Sequence, residues 1–340
     1  MRQHKRYIVP IGAICGLFIL IIDAKTAIGG AQEGVQLCLQ TLIPSLFPFF
    51  VVSGFFCSTF ADLNMRILKP VMRLCHLPNG SSPLMIAGFF GGYPVGAKVI
   101  AESYQSGCIG SAEARRMLGF CSNAGPAFIF GMIRNQFQQP VVSWCLMLIV
   151  IVSAILTGYL LPHSKGAEPI HLQKKSAGFI QNFNSSLQAI AAVCGWVILF
   201  RVILAFLDRW FLWLLPVNLQ VIVSGILELS NGCIELYKIN NDGLRFVIAA
   251  GMLSLGGLCV YLQTASLTAM LGAGLYFPGK IIQCLISIIL SGIVQILLFD
   301  AECRVPNAMI LLSVAAIFAI LVIIATLIKN NSRNFRPIAV

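Results

Sequence analysis

Ten mostly apolar stretches follow one another along the chain: Tyr7–Ile22, Val35–Phe60, Leu84–Val99, Leu118–Met132, Val141–Leu161, Leu187–Leu207, Phe211–Leu229, Phe246–Met270, Ile281–Phe299 and Ala308–Ile328. Most approach the roughly 20 residues that a helix needs to cross a bilayer, which predicts an all-α polytopic membrane protein. Arg2, Lys5 and Arg6 precede the first stretch as in a signal sequence, but the spans behind it favour a retained anchor helix.

Two stretches differ from the rest. Leu84–Val99 is short and holds Gly88, Gly91, Gly92, Pro94 and Gly96, too many helix breakers for backbone that faces lipid, where freed amides find no partner. It reads as a re-entrant hairpin. Phe211–Leu229 is interrupted by Pro216 and Asn218 and runs into Glu228, Asn231 and Gly232, which makes it the counterpart in the second half. Weak internal symmetry agrees: Leu39–Ile43 resembles Leu187–Ala191, and Ser122–Ile129 lies about as far into the first half as Ser254–Tyr261 does into the second. Duplicated halves are usual in transporters.

Charge then discriminates between topologies. With all ten stretches crossing and a cytoplasmic N-terminus, Lys and Arg divide 12 inside, Lys280 among them, to 9 outside. If the two interrupted stretches return to the side they came from, Arg115, Arg116, Lys165, Lys174 and Lys175 move inside and Arg134 and Arg209 move out, giving 15 to 6. The second division obeys the positive-inside rule. It predicts eight spans, two re-entrant hairpins, cytoplasmic termini and two inverted repeats.

Composition narrows the function. With 58% hydrophobic and 10% charged residues the chain is neither a soluble enzyme nor a nucleic-acid-binding domain, and the net charge of +11 reports topology. Of its 12 cysteines, Cys15, Cys38, Cys57, Cys121, Cys145, Cys194, Cys259 and Cys284 sit inside apolar stretches, where they serve as small hydrophobes. No C-x-x-C occurs, the four histidines have no ligand spacing, and no Walker, Rossmann or hydrolase signature is present. No metal, cofactor or catalysed reaction is expected.

The densest polar cluster is Gly91-Gly92-Tyr93-Pro94-Val95-Gly96-Ala97-Lys98, with Glu102 one turn on and Asn123, Gly125 and Pro126 beyond. An intramembrane Lys is costly unless water, a carboxylate or an anionic substrate answers it. Lys98 is therefore a candidate anion ligand at a cavity mouth, and pairing with Glu102 or snorkelling to the surface is the structural alternative. Asn123 beside Gly125-Pro126 marks a helix break of the kind that builds midplane sites, although local backbone bonding also accounts for such an Asn. Gln263 occupies the equivalent place in the second half, so Asn123 and Gln263 are expected to meet. Arg201 reads as an interfacial residue and Gly12-x-x-x-Gly16 as a packing motif.

Gly91–Ile100, Ala114–Gly131, Pro44–Phe50 and Gly256–Gln263 stand in an order that resembles the YlbJ family of sporulation integral membrane proteins. The resemblance implies a Gate, or nucleoside-recognition, fold of inverted repeats with re-entrant hairpins, and transport of dipicolinic acid across the outer forespore membrane; a nucleoside or other small-solute carrier of the same fold and a non-transporting sporulation membrane scaffold are the alternatives. Cys259 stands where the family often has Ser. The divisions expected are an anchor helix and loop at 1–34, a first Gate-type repeat at 35–162, a basic cytoplasmic linker at 163–184, a second repeat at 185–328 and a basic tail at 329–340. Substrate contact is expected from Gly92, Tyr93, Pro94, Gly96, Lys98, Asn123, Gly125, Pro126, Asn231, Gly257 and Gln263, with Glu102 as charge partner. The expected partners are a small anionic substrate and the lipid bilayer, compatible with a homo-oligomer and excluding nucleic acid.

Overall fold

The computed structural model describes residues 14–59, 68–162, 178–272 and 274–299, with side chains for all of these but 53–59. Asp23 caps the first long helix by accepting from the Thr26 amide. Helix α1 (Ala24–Leu37) continues through a π turn at Cys38–Leu42 into α2 (Ile43–Thr59). The π turn has a local cause. Pro44 lacks the amide that would donate to Gln40, and its ring crowds that carbonyl, so the helix widens just ahead of it.

Short α3 (Lys69–Leu74) leads to α4 (Ser82–Phe90) and α5 (Val95–Gln105), then α6 (Ser111–Leu118) and α7 (Pro126–Gly131), and finally α8 (Val141–Leu160). The second half opens with α9 (Phe179–Trp210), followed by α10 (Val217–Leu227), α11 (Leu229–Glu235), α12 (Asp242–Leu255), α13 (Gly257–Leu267) and α14 (Tyr276–Phe299). Both halves thus read as a long helix, a hairpin of two short helices, a broken helix and a long helix. Among the described residues five helical stretches are long and apolar enough to cross a membrane: Ala24–Val52, Val141–Leu160, Phe179–Trp210, Asp242–Leu267 and Tyr276–Phe299. The chain is an all-α polytopic membrane protein.

One expected span is corrected. Leu118–Met132 is no continuous helix, because α6 ends at Gly119 and the chain stays unwound until Pro126 starts α7. Ala308–Ile328 and residues 7–13 of the first stretch lie outside the described residues, as do both termini and most of the basic linker, whose last residues already belong to α9.

The matching long helices of the two halves pack on each other in opposite directions. A Cβ on Gly30 would stand 2.8 Å from that of Ala205, the Cys38 thiol faces the Cys194 carbonyl at 3.8 Å, and Asn182 Nδ2 donates to the Val51 carbonyl at 3.0 Å. Residue numbers rise on α1–α2 as they fall on α9. The α8–α14 pair behaves alike: Gln283 Nε2 donates to Val150 at 3.3 Å, and the Phe137 and Phe299 rings lie 6.5 Å apart.

Polar contacts gather at two ends. At one end Arg116 donates to the carbonyls of Cys75 and Gly158, and Arg115 Nε donates to the Leu271 carbonyl at 2.7 Å. At the other, Arg209 pairs with Asp23 at 3.1 Å, Arg201 Nε donates to Glu33 at 2.8 Å, and Arg245 Nη1 donates to the Gln136 carbonyl at 3.1 Å. Cys75 precedes the first hairpin and Arg116 follows it, so that hairpin leaves and returns at one end. Arg201 pairs with Glu33 and Asp208.

Candidate functional site

Each hairpin is closed by backbone contact. The arms α4 and α5 cross where a Cβ on Gly96 would stand 2.8 Å from the Gly88 Cα, and α10 and α11 cross at Gly225 and Gly232. Each hairpin also rests on the break of the helix that follows it. A Cβ on Gly92 would stand 3.1 Å from the Gly125 Cα, and one on Gly257 would stand 2.8 Å from the Gly225 carbonyl oxygen. Gly256 and Gly257 both hold φ near 78°, so the break between α12 and α13 needs two consecutive left-handed residues that only glycine supplies cheaply.

The unwound stretch 119–125 delivers Asn123, which is fully buried. Its Nδ2 donates to the Phe120 carbonyl at 2.8 Å, fixing the amide so that Oδ1 faces α14. That oxygen accepts from Lys280 Nζ at 3.1 Å and from Gln283 Nε2 at 2.8 Å, while Lys280 also donates to Gln283 Oε1 at 2.8 Å. The ammonium lies 5.1 Å from the centre of the Tyr93 ring and 5.9 Å from that of Tyr276. Lys280 is 0% exposed, and among the described residues no carboxylate pairs with it. Tyr93, at the hairpin tip, has a buried hydroxyl with no hydrogen-bond partner.

Two expectations are corrected here. The second half answers Asn123 with Lys280 and Gln283 rather than with Gln263, whose Nε2 meets the Cys259 thiol at 3.3 Å on α13. Lys280, placed in a cytoplasmic loop because charges end apolar stretches, is a buried residue in the first turns of α14. A signal for it existed: Lys280, Gln283, Ser287 and Ser291 recur at helical spacing on an otherwise apolar helix, and all four are 0% exposed.

Lys98 lies elsewhere, in a cleft of about 150 Å³ lined by Pro94, Lys98, Gln188, Trp196, Gln263 and Ser266 among others. It donates to Ser185, and its ammonium stands 4.0 Å from the largely exposed Glu102 carboxylate. Such an ion pair is weak. Tyr93 and Pro94 therefore separate two cationic places, the ring covering Lys280 and the proline walling the Lys98 cleft. Asn231 is not brought to either. Its backbone and side-chain nitrogens both donate to buried Glu228, at 2.7 and 2.8 Å, where Glu228 caps α11. Gly125 and Pro126 form the end of the break behind the tip, and Gly96 the arm crossing.

No family model and no solved structure matches the chain. Over 125 residues it is 30% identical to the sporulation integral membrane protein YlbJ of Bacillus subtilis (strain 168). The aligned stretch covers 35% of this chain and 30% of that protein. Over about a third of its length the chain is therefore similar to a sporulation integral membrane protein, and its helical architecture is that of a polytopic membrane protein.

Proposed function

We propose that the protein carries a small organic anion, with dipicolinic acid during spore formation as its substrate, by alternating access between two inverted repeats. The observation that supports this most is the antiparallel packing of α1–α2 on α9 and of α8 on α14, with each hairpin tip seated on the break of the next helix. Inverted duplication produces that pairing, and broken helices meeting between two halves are how carriers build a site. The protein alters no bond in what it moves, sits in the outer forespore membrane, and keeps its termini in the cytoplasm. A neutral nucleoside fits less well. Of the buried carboxylates described, Glu228 is occupied capping α11 and Glu113 is paired with Arg116, whereas cations stand at both the cleft and the centre.

Proteoliposomes containing the full chain should accumulate dipicolinate above protein-free vesicles and should not accumulate uridine. Lys98→Met should slow that uptake with little change in protein abundance, because the cleft loses its attracting charge while Met keeps most of the apolar stem that packs there. Uptake no faster than in protein-free vesicles would defeat the reading.

Inversion also predicts that the loops after the two hairpins face opposite sides. Cysteines introduced at exposed Ser111 and Asn240, in a background without reactive native thiols, should be labelled by an impermeant reagent from opposite faces, Asn240 from outside. Labelling of both from one face would rule out inverted repeats.

A further inference from the structure

We infer that Lys280, Asn123, Gln283 and Tyr93 form the deep subsite of this carrier, and that it takes a carboxylate of the substrate. The inference rests on the anion-carrier reading and adds to it a residue-level binding site. A fully buried ammonium in a membrane protein costs several kcal/mol unless something answers its charge. Here the answer is two amide oxygens and two aromatic faces, all formally neutral.

The hydrogen-bond inventory points the same way. An ammonium has three donors, and two of them are used by Asn123 and Gln283. Asn123 Oδ1 already accepts twice, and one of the two Nδ2 hydrogens is given to the Phe120 carbonyl. What remains at the centre is one N–H of Lys280, the second N–H of Asn123 Nδ2 and the buried, unpartnered hydroxyls of Tyr93 and Tyr276. Free donors around one unanswered positive charge match the two oxygens and single negative charge of a carboxylate. The described state is closed, since the Tyr93 ring lies over Lys280. Because Pro94 walls the Lys98 cleft, withdrawal of the hairpin tip would join the two places. A dicarboxylate could then pass from one cation to the other.

The rival role for Lys280 is purely structural, tying the 119–125 break to α14. Purified full-length protein in lipid nanodiscs separates the two, with dipicolinate as probe and uridine as control. Lys280→Met should weaken dipicolinate binding roughly tenfold to hundredfold, as expected for losing a charge-assisted hydrogen bond. Its melting temperature without ligand should match or exceed that of the native protein, because an uncompensated charge has been removed. Asn123→Asp supplies an internal carboxylate beside Lys280, so it should raise the melting temperature and remove dipicolinate binding together. It also keeps the test open should Lys280→Met fail to fold. Binding by the native protein that both variants retain to within about threefold would overturn the subsite and leave the carrier reading standing. Binding of uridine but of no carboxylate by the native protein would remove both.

Discussion

Arg116→Met should all but eliminate folded protein from the membrane. Arg116 is 2% exposed, its Nη1 pairs with buried Glu113 at 2.9 Å, and its Nη2 serves the carbonyls of Cys75 and Gly158. The guanidinium also lies 5.5 Å from the centre of the Phe120 ring. Removing it strands a buried carboxylate, at about 3–5 kcal/mol, and leaves two carbonyls short of a donor at about 1–3 kcal/mol each. Such a sum rivals the whole stability of an ordinary domain, about 5–15 kcal/mol. Arg116→Met with Glu113→Leu should recover a large part of the loss, because the stranded charge disappears with its partner. Size-exclusion profiles and melting temperatures of tagged protein would measure both effects. A single variant that melts like the native protein would mean that the pair is solvated rather than buried.

The second large effect is expected at the crossing of the first hairpin. A Cβ on Gly96 would stand 2.6 Å from the Cys121 carbonyl oxygen and 2.8 Å from the Gly88 Cα, and both neighbours are backbone that no rotamer change can move aside. Gly96→Ala should therefore cost at least the roughly 1–3 kcal/mol of an overpacked core and abolish uptake by displacing the tip. Gly110→Ala offers the contrast, since a Cβ there meets open space. The two variants differ in the same single methyl group, so comparing their abundance and uptake isolates the crossing. Equal behaviour would show that the arms do not touch.

The broad architecture was legible because apolar length and helix breakers are local properties. Five of the expected spans correspond to long helices, and the breaker-rich stretch around Gly91–Pro94 is the tip of a hairpin. The second hairpin was legible only in part. Its turn falls at Glu228, ten residues beyond Asn218, because a buried carboxylate that caps the returning helix is as effective a turn as a proline and leaves no mark in hydropathy. Leu118–Met132 misled for the opposite reason: hydropathy counts apolar residues and does not register that Gly119 and Gly125-Pro126 bracket an unwound stretch.

At the centre, Asn123 was recognisable by its neighbours Gly125 and Pro126, whereas its partners were not. Which residue of a distant helix meets Asn123 depends on how α14 is rotated about its axis. That rotation is set by the close approach of Gly279 to Gly119 and by the Ser287 hydroxyl donating to the Ala250 carbonyl at 2.9 Å. These are tertiary facts. The polar stripe beginning at Lys280 held the information in a form that a tally of loop charges reads as topology.

The glycine crossings also set how the hairpins can move. Side chains packed between helices yield by changing rotamer, so one helix can slip on the other; where Gly88 meets Gly96 there is only backbone, which does not yield. In the proposed transport cycle the first hairpin would therefore act as a stiff lever rather than a hinged flap. A displacement at Tyr93 has to reappear at the far end of α5, and from there pass through the short loop into α6. That helix is clamped by Arg116 to Cys75 and Gly158 and by Arg115 to Leu271, the last of which belongs to the other half of the chain. Tip and clamp form one mechanical unit, so loosening the Arg115–Leu271 contact should change how readily Lys280 is uncovered without altering any residue near it.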